Sequence, residues 1–279
     1  MGQTIEIFPK AKKIYKKFFR TNFLDEILRR VLNLSADFLS FARRFYFPKK
    51  FPWDWKLEML LGKYEQDTTA IFKKLIEPGM NVIDIGAHIG YYTTLFSKLA
   101  GTKGKIFAFE ADEDNFRLLN KNTDRRRNII LINKAVSDKT GLISFYKIQN
   151  STGCHSIIAH DNAEKITVPA IALDDYLEQN NIKKIDAIKI DIEGGEPFAF
   201  LGMRKLFSQT KNLSIVTEFS PHALRTAGVD PSEFLREIKN YGFEIFQILP
   251  GAETKILSLE NMESLDWYRT GYANLLLKK

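Results

Sequence analysis

From Asn81 onward the chain alternates between two hydrophobic patterns: short, nearly uninterrupted apolar runs, and stretches in which apolar residues return every three or four positions. The first pattern reads as buried strand and the second as helix. Strands are expected at Asn81–Ile85, Lys105–Glu110 and Ile129–Asn133, with helices at Ile89–Leu99 and Asp114–Lys121 between them. This βαβαβ order implies a parallel sheet covered on both faces, with ligands bound at the carboxyl ends of its strands. A less regular insertion follows, in which strand-like Leu142–Tyr146 and Ile166–Ala170 bracket the polar stretch Gln149–Asp161. Regular α/β order resumes with helix Leu173–Gln179, strand Ile185–Asp191, a helix near Pro197–Leu206, strand Leu213–Glu218, helix Pro231–Asn240, strand Phe243–Leu249 and a last strand Tyr272–Leu277.

The N-terminal part follows another pattern. Ile14, Tyr15, Phe18 and Phe19 lie on one side of a stretch otherwise filled by Lys12, Lys13, Lys16, Lys17 and Arg20, the pattern of a basic amphipathic helix. Leu24, Ile27, Leu28, Val31 and Leu32 form a second stripe. Such helices either pack their stripe on the domain as a cap or lie in an anionic membrane interface. Pro48 and Pro52 punctuate the chain beyond them, so residues 1–60 are expected to form a helical extension and 61–279 the main domain.

Composition narrows the class. With 279 residues, 44% hydrophobic and 27% charged, the chain can bury its own core and is neither disordered nor fibrous. The net charge of +7 is local: residues 1–50 carry 12 Lys and Arg against 4 Asp and Glu, leaving 29 against 30 for the rest. Charge confined to an arm points to a membrane surface or a partner before nucleic acid, which is not expected as a ligand. The single Cys154 forms no internal disulfide, no run approaches a membrane span, and the first residues lack a signal-peptide layout. A cytoplasmic enzyme, peripheral at the membrane if the arm binds there, is the expectation.

Candidate chemistry sits at the strand tips. The first strand ends Val82-Ile83-Asp84-Ile85-Gly86-Ala87-His88-Ile89-Gly90 and enters a helix, a turn that lets a ligand approach the backbone. It is not a dinucleotide fingerprint, because no glycine stands where the pyrophosphate would pass, and Asp84 would repel that group. A carboxylate there suits an ammonium or sulfonium ligand. Glu110, at the tip of the second strand, can accept both hydroxyls of a ribose. Together these features point to S-adenosylmethionine.

The turn DIGAHIGYYT, the strand FAFE, NKAVSD at Asn133–Asp138, LDDYL at Leu173–Leu177 and KIDIEGGE at Lys189–Glu196, with Tyr64-Glu65 and Thr68 upstream, resemble the FkbM family of S-adenosylmethionine-dependent methyltransferases. The likeness covers Tyr64 to Glu218 and departs from the usual pattern at His88 and Ala111. It implies the class I methyltransferase fold, an α/β Rossmann-like sheet of seven mostly parallel strands whose final strand runs antiparallel. It also implies O-methylation of a hydroxyl on a sugar, glycolipid or other small molecule. Gly86, Ala87 and Gly90 would cradle the methionine moiety, with Asp84 near its ammonium. His88 would pack in the turn, Glu65 would line the site and Glu110 would hold the ribose. Ala135 and Val136 would face the adenine.

Deprotonating an alcohol calls for a positioned base. Asp191, Glu193 and His222 are the candidates, with Lys189 to orient them and Glu218 toward the acceptor. Alternatively Asp191 bonds the turn, Glu193 caps the next helix and Glu218 is a structural carboxylate. Asp191 with Glu218 is too few carboxylates to claim magnesium, and His155 with His160 beside Cys154 lacks zinc-site spacing. No metal is expected. Ser151, Thr152 and Gly153 are expected in a loop over acceptor or cofactor. Methylation of an amine or protein nitrogen, and a non-catalytic cofactor-binding membrane adaptor, remain open beside the leading reading.

Overall fold

The computed structural model describes residues 22–49, 51–148, 153, 155–159, 163–260, 268 and 271–279. The amphipathic stretch at 10–20, and Ser151, Thr152, Cys154 and His160, lie outside these residues.

The expected alternation folds as a doubly wound sheet. β1 (Asn81–Ile85), β2 (Lys105–Phe109) and β3 (Ile129–Ile132) are parallel, with α4 (Tyr91–Ala100) and α5 (Glu113–Thr123) as crossovers. The side sheet of the insertion comprises β4 (Ala135–Val136), β5 (Gly141–Ile148) and β6 (Ala163–Ile171). Then come α6 (Leu173–Gln179), β7 (Ala187–Ile190), α7 (Glu196–Leu201), α8 (Arg204–Gln209), β8 (Ser214–Phe219), α9 (Pro221–Thr226) and α10 (Pro231–Asn240). The chain closes with β9 (Glu244–Leu249), β10 (Glu253–Ile256) and β11 (Ala273–Lys278). The main sheet has the order β10-β9-β11-β8-β7-β1-β2-β3, and β11 runs antiparallel to both β8 and β9. Without β10 this is the seven-stranded class I methyltransferase sheet; β10 extends its edge as a hairpin with β9.

The burial of the strands explains their sequence. Val82 through Ile85 and Ala187 through Ile190 are buried throughout, as expected where helices cover both faces. One expectation is corrected. The helix expected near Pro197–Leu206 breaks at Gly202, where a Cβ would stand 2.1 Å from the Ser137 carbonyl oxygen, so only glycine lets these backbones pass. The exposed strand β10, which the apolar pattern does not predict, pairs because β9 presents an open edge.

Upstream stand α1 (Asn22–Arg43), α2 (Trp53–Leu60) and α3 (Gln66–Leu75). α1 packs through its small-residue side, where Ala36 and Ser40 are buried, and Asp37 pairs with the buried Lys56 of α2 at 2.7 Å. Of its large apolar side chains Ile27, Val31, Leu34, Phe38 and Phe41 are exposed, while Leu28, Leu32 and Leu39 are half-buried. The expected stripe is thus divided, with Ile27 and Val31 outward and Leu28 and Leu32 half covered. Asn122 of α5 exchanges hydrogen bonds with Tyr46 and donates to the Ile89 carbonyl, fastening the segment after α1 to the first βα turn. A chain of rings from Phe45 through Phe47 and Phe51 ends on His88 of that turn.

Candidate active site

Strand order reverses between β1 and β7, and ligand crevices of open α/β sheets lie at such a switch point. The carboxyl ends of four adjacent strands deliver Glu110 after β2, the Gly86 turn after β1, Asp191 after β7 and Glu218 within β8. The turn is backbone-determined. Gly86 has φ +78°, and a Cβ on it would lie 1.9 Å from the Asp191 carbonyl oxygen; Gly90 has φ +92° against Leu119. The Gly86 and Ala87 amides donate to the Phe109 carbonyl at 3.0 and 2.9 Å, locking the turn to the end of β2.

Glu110 bridges two loops. Its Oε2 accepts the His88 amide at 2.7 Å and its Oε1 the Asp112 amide at 2.9 Å. Burial, only partly offset by these donors, pushes its carboxyl up to about 7. Each carboxylate oxygen can accept a second donor, so hydroxyl binding remains available. His88 holds a left-handed backbone at φ +51°, and burial lowers its imidazole to about 4, so it is neutral near pH 7.

Asp84 stands below the turn. It is fully buried, its Oδ2 accepts the Thr93 hydroxyl at 2.6 Å, and its Oδ1 has no hydrogen-bond partner but faces the Lys189 ammonium at 4.0 Å. Burial raises its carboxyl despite that cation. Lys189 also donates to Asp191 Oδ2 at 3.1 Å, and against the opposing effect of burial the acids Asp191, Asp84 and Glu65 hold its ammonium above the usual lysine range. Asp84 itself reaches no surface, and the cation it faces in this structure is Lys189.

Around Lys189 the acids accumulate. Glu65, left-handed at φ +41°, accepts the Tyr92 hydroxyl at 2.8 Å, and its carboxyl is raised by burial and then by Asp191. Glu193, left-handed at φ +53° and with no side-chain hydrogen bond among the described residues, is pushed up to about 8 by burial and then by Asp191. Glu218 is held well above the carboxylate range by burial and then by Asp191, Glu193, Glu196 and Glu65. The Tyr272 phenol, beside Glu218, is raised to about 12, burial leading. No group of three His, Cys, Asp or Glu among the described residues is arranged to hold a metal ion.

Glu193 does not cap the next helix, since the N-cap of α7 is Gly195. Glu196, in the first turn of α7, accepts the Ile192 amide through Oε1 at 3.0 Å and so closes the turn that presents Glu193. His222 sits on the first turn of α9, exposed, its carbonyl accepting the Thr226 hydroxyl, while the next residue, Ala223, lies close against Gly194 beside Glu193. Ala135 and Val136 form β4 against Ala170 and Ile171 and are buried there, Ala135 among Phe145 and Val168. His155 accepts the Ile148 amide through Nδ1 and serves the hairpin. Sequence reasoning missed Ser156: fully buried, it donates to the Glu193 carbonyl at 2.8 Å and accepts the Ile158 amide at 3.1 Å, tying the insertion to the acidic turn. A lone serine in a polar loop carries no signal for this; the long-range contact alone defines it.

Residues 84–245 match the family model of the methyltransferase FkbM domain. Over 181 residues the chain is 29% identical to the hexuronic acid methyltransferase AglP of Haloferax volcanii, an alignment covering 64% of this chain and 69% of that protein. Among solved structures it is similar to an O-methyltransferase of Bacillus cereus in complex with SAH, at 13% identity and a TM-score of 0.43, covering 96% of this chain and 94% of that one. It is also similar to a SAM-dependent O-methyltransferase of Thermotoga maritima, at 13% identity and a TM-score of 0.42, covering 77% and 65%. Because the family model spans more than half of the sequence, from the acid of the β1 turn to β9, the chain belongs to the FkbM family of S-adenosylmethionine-dependent methyltransferases.

Proposed function

We propose that the protein methylates a hydroxyl oxygen of a sugar, free or within a glycan, with Glu193 as the general base. The acidic turn beyond β7 carries this reading, and the similarity to a hexuronic acid methyltransferase supports the sugar class. The residues fit the cofactor: one cation, Lys189, is outnumbered by Asp84, Asp191, Glu65, Glu193 and Glu218, a charge excess suited to a sulfonium bearing an ammonium. When bound, S-adenosylmethionine supplies an electrophilic methyl group. The chain holds and orients. Gly86, Ala87 and Gly90 open the backbone for close approach, with His88 packed behind them, and Glu65 and Asp191 face the positive end. Glu110 takes the ribose hydroxyls, and Ala135 and Val136 wall the adenine side.

Asp191 is committed to Lys189 and Glu193 is not. A carboxyl near about 8 is a stronger proton acceptor than an ordinary glutamate, and it loses its own proton as positive charge arrives beside it. Asp191 is then the group that holds Lys189 in place, and exposed His222 contributes least. The acids also disfavour an anionic acceptor, which favours a hydroxyl over a carboxylate.

The same reading takes residues 1–60 as an extension that brings the catalytic unit, 61–279, to an anionic membrane from the cytoplasmic side. Within the described residues no helix is long and apolar enough to cross a membrane.

Methyl-labelled S-adenosylmethionine incubated with hexosides and hexuronosides tests the reaction. Label should enter sugar as an alkali-stable ether, and Glu193→Gln should lower the rate by roughly 10² to 10⁴-fold. Label in an alkali-labile ester or in protein would refute the hydroxyl assignment.

A further inference from the structure

The surface most at odds with a soluble domain is the outward side of α1. Ile27, Val31, Leu34, Phe38 and Phe41 follow helical spacing, and the last three are 69%, 74% and 72% exposed. They lie opposite Ala36 and Ser40, through which the helix docks, so its most apolar face turns away from the core. We infer that this stripe is a membrane-docking face that inserts into the interface of an anionic bilayer.

Charge argues for that occupant. In the sequence, cations flank the helix on both sides: Lys10 to Arg20 holds six without an acid, and Arg43, Arg44, Lys49 and Lys50 lie in a stretch free of acids from Phe38 to Trp53. An apolar stripe between two basic clusters matches an interface whose acyl boundary is covered by anionic headgroups. At the Phe41 end lies a cleft of about 330 Å³, lined also by Tyr46, Lys49 and the paired Asp37 and Lys56, so among the described residues Lys49 is its one lining cation outside that pair. α1 is tied to α2 by the Asp37–Lys56 pair, and the segment that follows it is clamped by Asn122 and carries the rings that reach His88. A bilayer seated on the stripe would therefore be held in fixed relation to the cofactor turn. The inference rests on the membrane placement proposed above and is independent of the acceptor class.

Flotation of the full-length protein tests it, with vesicles of phosphatidylcholine alone and of an equal mixture with phosphatidylglycerol. The protein should float with the mixed vesicles, bind neutral ones at least about tenfold more weakly, and lose affinity as salt rises. The combined change Leu34→Ser, Phe38→Ser and Phe41→Ser should lower partitioning by about a hundredfold or more, because exposed side chains lose only their lipid contacts. Calorimetric S-adenosylmethionine binding, measured on the same samples, should be unchanged and reports an intact fold; Phe38→Ser alone serves as a milder variant. Equal flotation of parent and variant would overturn the inference, as would failure of the parent to float with either vesicle. A parent dimer that the same substitutions dissociate would instead make the stripe a self-interface. Labelling of a water-soluble sugar is read without vesicles, so failure here is distinguishable from failure of the methylation reading.

Discussion

Replacing Lys189 by methionine separates charge from packing at the switch point. Lys189 is nearly buried, 4.0 Å from the unbonded oxygen of fully buried Asp84 and 3.1 Å from the partly exposed Asp191. At an effective dielectric constant of about 20, unit charges about 4 Å apart interact by about 4 kcal/mol, and the Asp191 contribution is smaller because solvent screens it. Removing one partner of a buried pair typically costs about 3 to 5 kcal/mol, so Lys189→Met should cost about 3 to 4 kcal/mol near pH 7.5. Asp84 can escape by taking a proton. Its folded pKa, already above the unfolded value, rises further without the lysine, so the loss should shrink as pH falls toward about 5 and grow as pH rises. Asp84→Asn together with Lys189→Met should recover about 2 kcal/mol or more, since no uncompensated charge is then buried. Urea unfolding followed by tryptophan fluorescence at both pH values reads all three proteins. A pH-independent loss, or a double variant no better than Lys189→Met, would show that the ammonium acts instead through the Tyr92 ring, whose centroid lies 5.3 Å from its Nζ.

Three further outcomes are expected. Glu110, Glu193 and Glu196 have folded pKa values of about 7, 8 and 7, above their unfolded value of 4.5, so the native state binds more protons. The cofactor-free protein should lose stability as pH rises from about 4.5 to about 8, visible as a falling urea midpoint. Glu110→Gln turns one acceptor into a donor against the His88 or Asp112 amide; calorimetry should show S-adenosylmethionine affinity reduced by at least about tenfold. Ser156→Ala removes the hydroxyl that fixes the Glu193 carbonyl; kcat should fall by about tenfold with KM for S-adenosylmethionine unchanged, whereas a purely structural serine would shift stability alone.

The strands at Asn81–Ile85 and Lys105–Phe109, the glycine turn and the acidic strand tips were legible in the sequence because each depends on local rules. Continuous apolar runs must be buried on two faces, and positive φ at Gly86 and Gly90 needs glycine. Family resemblance added the final antiparallel strand. Glu193 was legible as a candidate base, but its environment was not, since burial leads it and Glu218, which it faces, arrives from another strand.

Only the tertiary structure decided which way α1 faces, since an amphipathic stripe looks the same whether it covers a core or meets solvent. It also decided that Glu196 closes the turn while the Glu193 side chain makes no hydrogen bond among the described residues, because such roles depend on backbone geometry more than on spacing. The break at Gly202 follows from the passage of Ser137, which lies 65 residues earlier in the chain. Sequence thus determined the elements and their chemistry through nearest-neighbour physics. Charge balance, orientation and access were decided by groups that meet only when the sheet closes, because burial and Coulomb interaction act across space.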